Sequence, residues 1–386
     1  MGKKKKSPAA PAQNRRRTVL LLACGVAAGL LAAEGASRIL FKKNVAELAM
    51  TEADLYYYYD PAGVRRHIPN KKGYERMWNN QGKAEFRINP YGFRGREIPR
   101  KKPPGVFRIL FLGDSITLGG RLPEEEIFVE RVGRTLGDGE YQVINAGFGD
   151  IGLAEEDEVL RTTGIGLEPD LVVLCWYLND GRPPVGFPEE VVYGNPLIRW
   201  FHRSGLLRRS YLMGLLYGTL RKSLVTQQIK LSATQSKRFA WTRTYMEGAW
   251  VKDTSAFNKL VHQARFDWGD AWNADSRRAM FKRIRAMRDF ARGRGAKFSL
   301  VMLPLHAQVY ATIPSPVIDE PQKELAEFCR SAGIPCLDLL PTLRAVKHTQ
   351  IFYDNCHYTP KGNALVADII TAFLRKTGQL PAAANP

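Results

Sequence analysis

Apolar residues are distributed along the chain in three distinct ways. Near the amino terminus, residues 18–33 form an uncharged, mostly apolar run, and the pattern resumes after Glu34 with Ala36, Ile39, Leu40 and Phe41. From about 106 to 378, short apolar runs alternate with longer stretches at helical spacing. Strands are expected at 107–112, 141–146, 171–176, 298–303 and 334–339, and helices at 124–136, 152–163, 274–294, 321–332 and 359–375. Strands alternating with helices predict an α/β domain, a three-layer α/β/α sandwich around a five-stranded parallel sheet. The alternation pauses between about 183 and 269, so that stretch reads as an insertion. In its first half, over 197–224, Trp200, Leu207, Tyr211 and Leu215 recur at helical spacing among Arg199, Arg203, Arg208, Arg209, Arg221 and Lys222. No internal repeat is present. Residues 42–105 read as a tyrosine-rich connector containing Asn89-Pro90-Tyr91-Gly92-Phe93-Arg94-Gly95.

Length and charge narrow the picture. A chain of 386 residues holds one large domain with appendages, or two modest ones. The formal net charge is +19, and it is concentrated. Residues 1–17 carry seven positive residues and no acid, and residues 191–246 carry ten Lys or Arg and no acid. Everything else is nearly neutral, at +2. That distribution argues against nucleic acid as a partner and for two local contacts with anionic material. The basic insertion has three readings: a solvated helix packed on the domain, an interfacial helix on anionic lipid, or a groove for an acidic glycan.

The amino-terminal run reads as a single-pass transmembrane segment over 18–41 behind a basic cytoplasmic head, 1–17. Sixteen residues at 1.5 Å rise reach only about 24 Å, so the resumed pattern is needed to cross a ~30 Å core. Glu34 and Arg38 would then snorkel near the far interface. A cleaved signal peptide stays open as the rival, with cleavage after Gly35 and Ala33 at the −3 position. In either reading the positive head stays inside and the rest of the chain lies beyond the membrane. The five cysteines have no metal-ligand spacing; Cys329 and Cys336 are expected as two buried thiols, with a disulfide as the alternative.

The candidate chemistry falls at predicted strand ends, where parallel sheets gather reactive groups. Gly113-Asp114-Ser115 follows the first strand, Asn145-Ala146-Gly147 closes the second, and Leu178-Asn179-Asp180 follows the third. Asp354-Asn355-Cys356-His357 precedes the final helix. In order, Gly-Asp-Ser-Ile at 113–116, Gly147, Asn179-Asp180 and Asp354-x-x-His357 resemble the four sequence blocks of the SGNH/GDSL hydrolase superfamily, over about 106–182 and 270–378. The Asn-x-x-Gly-Phe-Arg-Gly stretch looks like a bacterial, extracytoplasmic branch of it. The resemblance implies a catalytic triad of Ser115, Asp354 and His357. It implies an oxyanion hole from the backbone N–H of Ser115 and of Gly147 and the side-chain amide of Asn179, with no metal and no cofactor. It implies ester cleavage on an acylated envelope glycan or lipid, by a domain held at the outer, periplasmic face of the bacterial inner membrane. An O-acyltransferase and a catalytically idle envelope scaffold are the alternatives.

These residue types suit that chemistry. A serine hydroxyl needs an adjacent base, a histidine supplies one near neutral pH, and a carboxylate fixes its tautomer. Blander roles also exist: Ser115 as a turn residue, His357 as a cap, Asp354 as an acid at the start of the final helix, Gly147 as a turn glycine, and Asn179 as a loop asparagine. Asp114 reads as structural, Cys356 as a spectator thiol and His306 as a loop histidine.

Overall fold

The structure, a computed structural model, describes residues 12–41, 57–59, 65–137, 139–181, 196–231, 239–314 and 317–381. Contacts divide the chain into two compact units, Met1–Leu55 with Val191–Gln227 and Tyr56–Glu190 with Gln228–Pro386.

The larger unit is built on a five-stranded parallel sheet. Two antiparallel pairs precede it, β1 (Tyr57–Tyr59) with β2 (Arg65–His67) and β3 (Lys72–Arg76) with β4 (Lys83–Arg87). The sheet strands are β5 (Phe107–Gly113), β6 (Tyr141–Gly147), β7 (Leu171–Tyr177), β8 (Lys297–Leu303) and β9 (Cys336–Asp338), in spatial order β6-β5-β7-β8-β9. Their register is parallel throughout. Every residue of β7 is buried, as expected of a strand covered on both faces. Helices Phe128–Leu136 and Pro360–Lys376 pack together in one layer, tied by Asn363 Oδ1 accepting from the Phe128 N–H at 2.9 Å. Helices Leu153–Val159, Ala274–Arg292 and Glu320–Ala332 form the other. The strand order reverses at β5, whose neighbours β6 and β7 both follow it in sequence. Such a switch point opens a crevice at the carboxyl ends of the strands.

The segment that reads as a connector contributes structure to this unit. The hairpin β3–β4 and the loop after it are pinned by the Asn89–Gly95 stretch. Asn89 Oδ1 accepts from the N–H groups of Tyr91 and Phe93, and Gly92 turns at φ +81°, where a side chain is strained. Arg94 is only 2% exposed. Its guanidinium donates to the carbonyls of Leu118 (3.1 Å), Gly119 (2.6 Å) and Leu122 (2.6 Å) and sits 4.7 Å over the Phe86 ring. The insertion also divides: helices Trp241–Glu247 and Thr254–Gln263 bury Trp241, Phe257 and Leu260 in the main core, and the 3₁₀ turns Ala249–Val251 and Trp268–Trp272 add Trp250 and Trp268.

The smaller unit holds the helix Ala12–Leu40, the helices Pro196–Arg203 and Gly205–Arg209, and the helix Tyr211–Leu231 as far as Gln227. Arg17–Leu40, 24 residues, is the one helix among the described residues long and apolar enough to cross a membrane, a test that an anchor and a signal sequence both pass. Val19, Leu20, Leu21 and Leu22 on it are 64–69% exposed.

Removing the Arg94 guanidinium would leave three buried carbonyls short of a charged donor. Arg94→Met is expected to lower the unfolding free energy by about 3 kcal/mol, measured by denaturant titration of the purified protein. A change within about 0.5 kcal/mol, the range of an ordinary surface substitution, would show that Arg94 is not a brace.

Candidate active site

The turn that presents Ser115 is set by close backbone packing. β5 ends at Gly113, where a Cβ would lie 2.1 Å from Thr117 Oγ1. Asp114 then caps the short helix Ser115–Leu118 by accepting from the Ile116 N–H at 2.9 Å, and Gly119 closes it at φ +68°. Asp114 is thus structural, as its sequence context suggests. β6 comes up beside this helix. A Cβ on Gly147 would meet Leu118 N at 2.2 Å and Leu118 Cα at 2.8 Å, so no other residue fits there without moving backbone. Asn145 ties the two together, its Nδ2 donating to the Thr117 carbonyl at 2.9 Å.

The loop 352–358 brings the other two residues to the serine. Phe352 pairs with Tyr358, and the Tyr353 N–H donates to the His357 carbonyl at 3.0 Å, closing a tight loop. Within it, Asp354 Oδ1 accepts from the N–H groups of Cys356 (2.9 Å) and His357 (2.7 Å), which aims Oδ2 at His357 Nδ1, 2.7 Å away. The far ring nitrogen, Nε2, lies 2.9 Å from Ser115 Oγ. Asp354 does not cap the final helix; Thr359 does, its Oγ1 accepting from the Gly362 N–H at 3.1 Å.

The remaining sequence candidates fall as follows. Gly147 lies beside the serine helix, but its N–H donates to Asn145 Oδ1 at 3.0 Å. Asn179 lies in the turn Leu178–Gly181 after β7; its Oδ1 is buried without a hydrogen-bond partner. Cys356 is buried, with Sγ 3.5 Å from His357 Nδ1, and burial pushes its thiol up to about 11. It is therefore a neutral thiol beside the histidine. His306 packs against Tyr245, Trp250, Tyr310 and Phe352, bonds to the Tyr245 hydroxyl at 2.9 Å through Nδ1, and its N–H donates to the Asn355 carbonyl at 3.0 Å. Burial lowers it to about 4, so it is neutral and props the loop. Cys329 and Cys336 are free thiols.

Charge around the triad follows from burial and contact. Burial alone would raise the Asp354 carboxyl, but the His357 ring and the two backbone N–H groups outweigh it and hold it below its ordinary value. Burial pulls His357 down, yet its contacts with Cys356 and then Asp354 favour the imidazolium, and the ring ends well above 6.5. Glu156, close to Asp114 and Asp180, is fully buried and raised well above its ordinary value, by desolvation and then by those two carboxylates. Asp354, Cys356 and His357 each bring one potential metal-ligand atom within 4.8 Å of the others. Both ring nitrogens of His357 are already engaged by Asp354 and Ser115, and Cys356 is protonated, so this donor set suits proton transfer better than a metal.

One wall of the site was not legible as such. Trp78, at the tip of the β3–β4 hairpin, stacks on Tyr353 (centroids 5.8 Å apart), and Tyr353 stacks on His357 (5.6 Å, 13° between planes). Arg121 locks the hairpin tip, donating to the Met77 carbonyl and Asn80 Oδ1 and lying over the Tyr353 ring. Only the hairpin-like spacing of Trp78-Asn79-Asn80-Gln81-Gly82 hinted at it. A separate groove of about 610 Å³, lined by Tyr74, Lys83, Arg87, Arg96, Glu124 and Glu130 among others, includes no triad residue. The triad, not that groove, is the place with coherent chemistry.

No family model matches the chain, and no curated protein does. Solved structures do. An acetyl xylan esterase is similar over 69% of this chain and 98% of its own, at 15% identity and a TM-score of 0.39. A lipase/acylhydrolase from Enterococcus faecalis covers 72% of this chain and 100% of its own, at 15% identity and 0.37. A two-domain esterase active on acetylated mannans covers 73% of this chain and 52% of its own, at 15% identity and 0.40. Likenesses this distant carry no weight in assigning chemistry to particular residues.

A raised His357 pKa has a testable consequence. Protonated His357 cannot accept the serine proton, so activity should fall as pH drops, with the midpoint of that acid limb above 6.5. Asp354→Asn removes the carboxylate that favours the imidazolium, so the limb should move to lower pH while turnover falls about four orders of magnitude. A kcat/KM profile on an aryl acetate from about pH 5 to 9 checks both; an unmoved limb in the variant would separate Asp354 from His357.

Proposed function

We propose that this chain is a membrane-anchored serine ester hydrolase of the SGNH/GDSL type, acting through Ser115, His357 and Asp354. The observation that carries the reading is the continuous relay from Ser115 Oγ to His357 Nε2 at 2.9 Å and from His357 Nδ1 to Asp354 Oδ2 at 2.7 Å. Ser115 Oγ attacks the acyl carbon as its proton passes to Nε2. The tetrahedral intermediate collapses, the C–O bond to the alcohol breaks, and Nε2–H protonates the departing oxygen, leaving an acyl-serine. Water, activated by the same nitrogen, attacks that ester and returns Ser115 as a free hydroxyl.

The developing oxyanion needs donors, each worth about 3 kcal/mol in such sites. The backbone N–H of Ser115 and the side chain of Asn179 fill that role in this reading. Gly147 joins them only if its N–H is shared with, or released from, Asn145 Oδ1.

The alcohol must sit next to the group that protonates it, so the Trp78–Tyr353 wall beside His357 faces the alcohol rather than the acyl group. Aromatic faces suit the flat C–H face of a sugar, which favours an acylated envelope glycan over a lipid ester. The same wall would hold a sugar hydroxyl as acceptor in place of water, which keeps O-acyltransfer as the second reading. The basic head before the anchor fits a domain on the outer face of a bacterial inner membrane.

Ser115→Ala should lose about six orders of magnitude in aryl-ester turnover with the fold retained; more than about a tenth remaining would remove Ser115 as nucleophile. Trp78→Ala should raise KM for an acetylated oligosaccharide about tenfold, the loss expected when one aromatic contact goes, while aryl-acetate turnover changes little. Equal effects on both substrates would remove the sugar wall. Product analysis with and without a sugar acceptor separates hydrolysis from transfer.

A further inference from the structure

The smaller unit contains a contact that a simple anchor does not need. Glu34 lies in the last two turns of the apolar helix, where an unpaired carboxylate is costly. It is fully engaged. Its oxygens accept from Ser210 Oγ (2.7 Å), the Tyr211 N–H (3.0 Å) and the Leu212 N–H (2.9 Å), the first turn of the helix Tyr211–Leu231. Arg38, one turn on, donates to Glu34 at 2.7 Å and to the Arg209 carbonyl at 3.1 Å, with its guanidinium 5.0 Å over the Tyr211 ring. Ser210 is the N-cap of that helix, its Oγ accepting from the Met213 N–H at 3.1 Å, and Glu34 completes the cap from far away in sequence by taking the Tyr211 and Leu212 amides and the Ser210 hydroxyl. Ser37, at the same joint, is only 6% exposed.

What this joint holds is apolar on its outside. Residues Tyr211–Leu220 form an uncharged apolar helix segment. Leu197 is 60% exposed, Trp200 56%, Leu206 81% and Leu216 56%. Leu197, Trp200, Met213, Leu216 and Leu220 line a shallow apolar groove of about 160 Å³. A solvated surface helix would turn its apolar side inward and leave polar side chains outside. The charge that accompanies these residues is all of one sign: 196–231 holds seven Lys or Arg and no acid. Exposed leucines with a tryptophan, basic residues without acids, and a covalent link to a membrane-length helix all describe the lipid–water interface.

We infer that the anchor is retained, not cleaved, and that helices 196–231 lie in the interface of the leaflet at the carboxyl end of the anchor. Leu197, Trp200, Leu206 and Leu216 enter the acyl layer, the net positive charge of the segment draws it to anionic phospholipid headgroups, and Glu34 is the joint that sets its depth. Cleavage after Gly35 would strip the cap from the Tyr211 and Leu212 amides. Each basic residue at such a surface adds to the attraction, so the contact should weaken with salt and with neutral lipid.

The test uses the full chain in vesicles of phosphatidylcholine and phosphatidylglycerol with brominated acyl chains. Trp200→Phe should remove a component of tryptophan quenching that the wild type shows. Identical quenching in the two proteins would overturn the placement. In the same vesicles trypsin should cut within 196–231 about fivefold faster in Glu34→Ala than in wild type, the shift expected from losing one helix cap. Equal cutting would overturn the joint. Protection that persists in detergent and is conferred by a soluble acidic polysaccharide would assign the surface to glycan and overturn the lipid assignment. Neither residue belongs to the proposed triad, so aryl-ester turnover in the same samples reports separately on the proposed activity.

Discussion

The site depends on how closely the backbone of β6 approaches the helix that carries Ser115. Gly113 and Gly147 have no room for a Cβ, and Asn145 bridges the gap by donating to Thr117 and accepting from Gly147. Arg94 holds the far end of the same helix through the carbonyls of Leu118, Gly119 and Leu122. Ser115 is thus fixed by backbone contacts on both sides before His357 reaches it. The loop 352–358, folded by the hydrogen bonds of Asp354 and propped by His306 and Trp78, then brings His357 within 2.9 Å. A rigid serine with a braced histidine loop fits the demand for preorganisation in acid–base chemistry.

Much of this was legible because the relevant signals are local. Fully buried parallel strands read as unbroken apolar runs, so the five expected strands fall within two residues of β5 to β9 at either end. The helix expected at 124–136 is divided in the structure: a 3₁₀ turn over Glu124–Glu126, then Ile127 in extended conformation, then the α-helix. The one at 152–163 gives way to a π turn at Leu160–Gly164, a deviation that periodicity does not register. The spacing of Asp354 and His357 marks one loop, but its closure onto Ser115 does not follow from the sheet order, since β9 lies three strands from β5; it comes with the final helix packing on Phe128–Leu136.

What stayed hidden is long-range. Nothing near Trp78 in sequence announces that its ring reaches Tyr353, 275 positions away, because stacking partners leave no local trace. The connector was read from its mixed composition, yet Asn89 and Arg94 fold its described part from residue 65 onward into the larger unit. The insertion is contiguous in sequence, but its first half belongs with the anchor and its second half fills the main core. Glu34 looked like a snorkelling acid; its role as a cap needs Ser210 beside it.

The central claim is that Ser115 is a nucleophile activated by His357. A fluorophosphonate probe tests it directly, because the reagent bonds only to a serine whose proton has a base to receive it. Digestion and mass spectrometry of the full-length protein should place the adduct on the peptide containing Ser115, and His357→Ala should abolish the labelling. An unlabelled wild type that retains esterase activity, or equal labelling in His357→Ala, would contradict it.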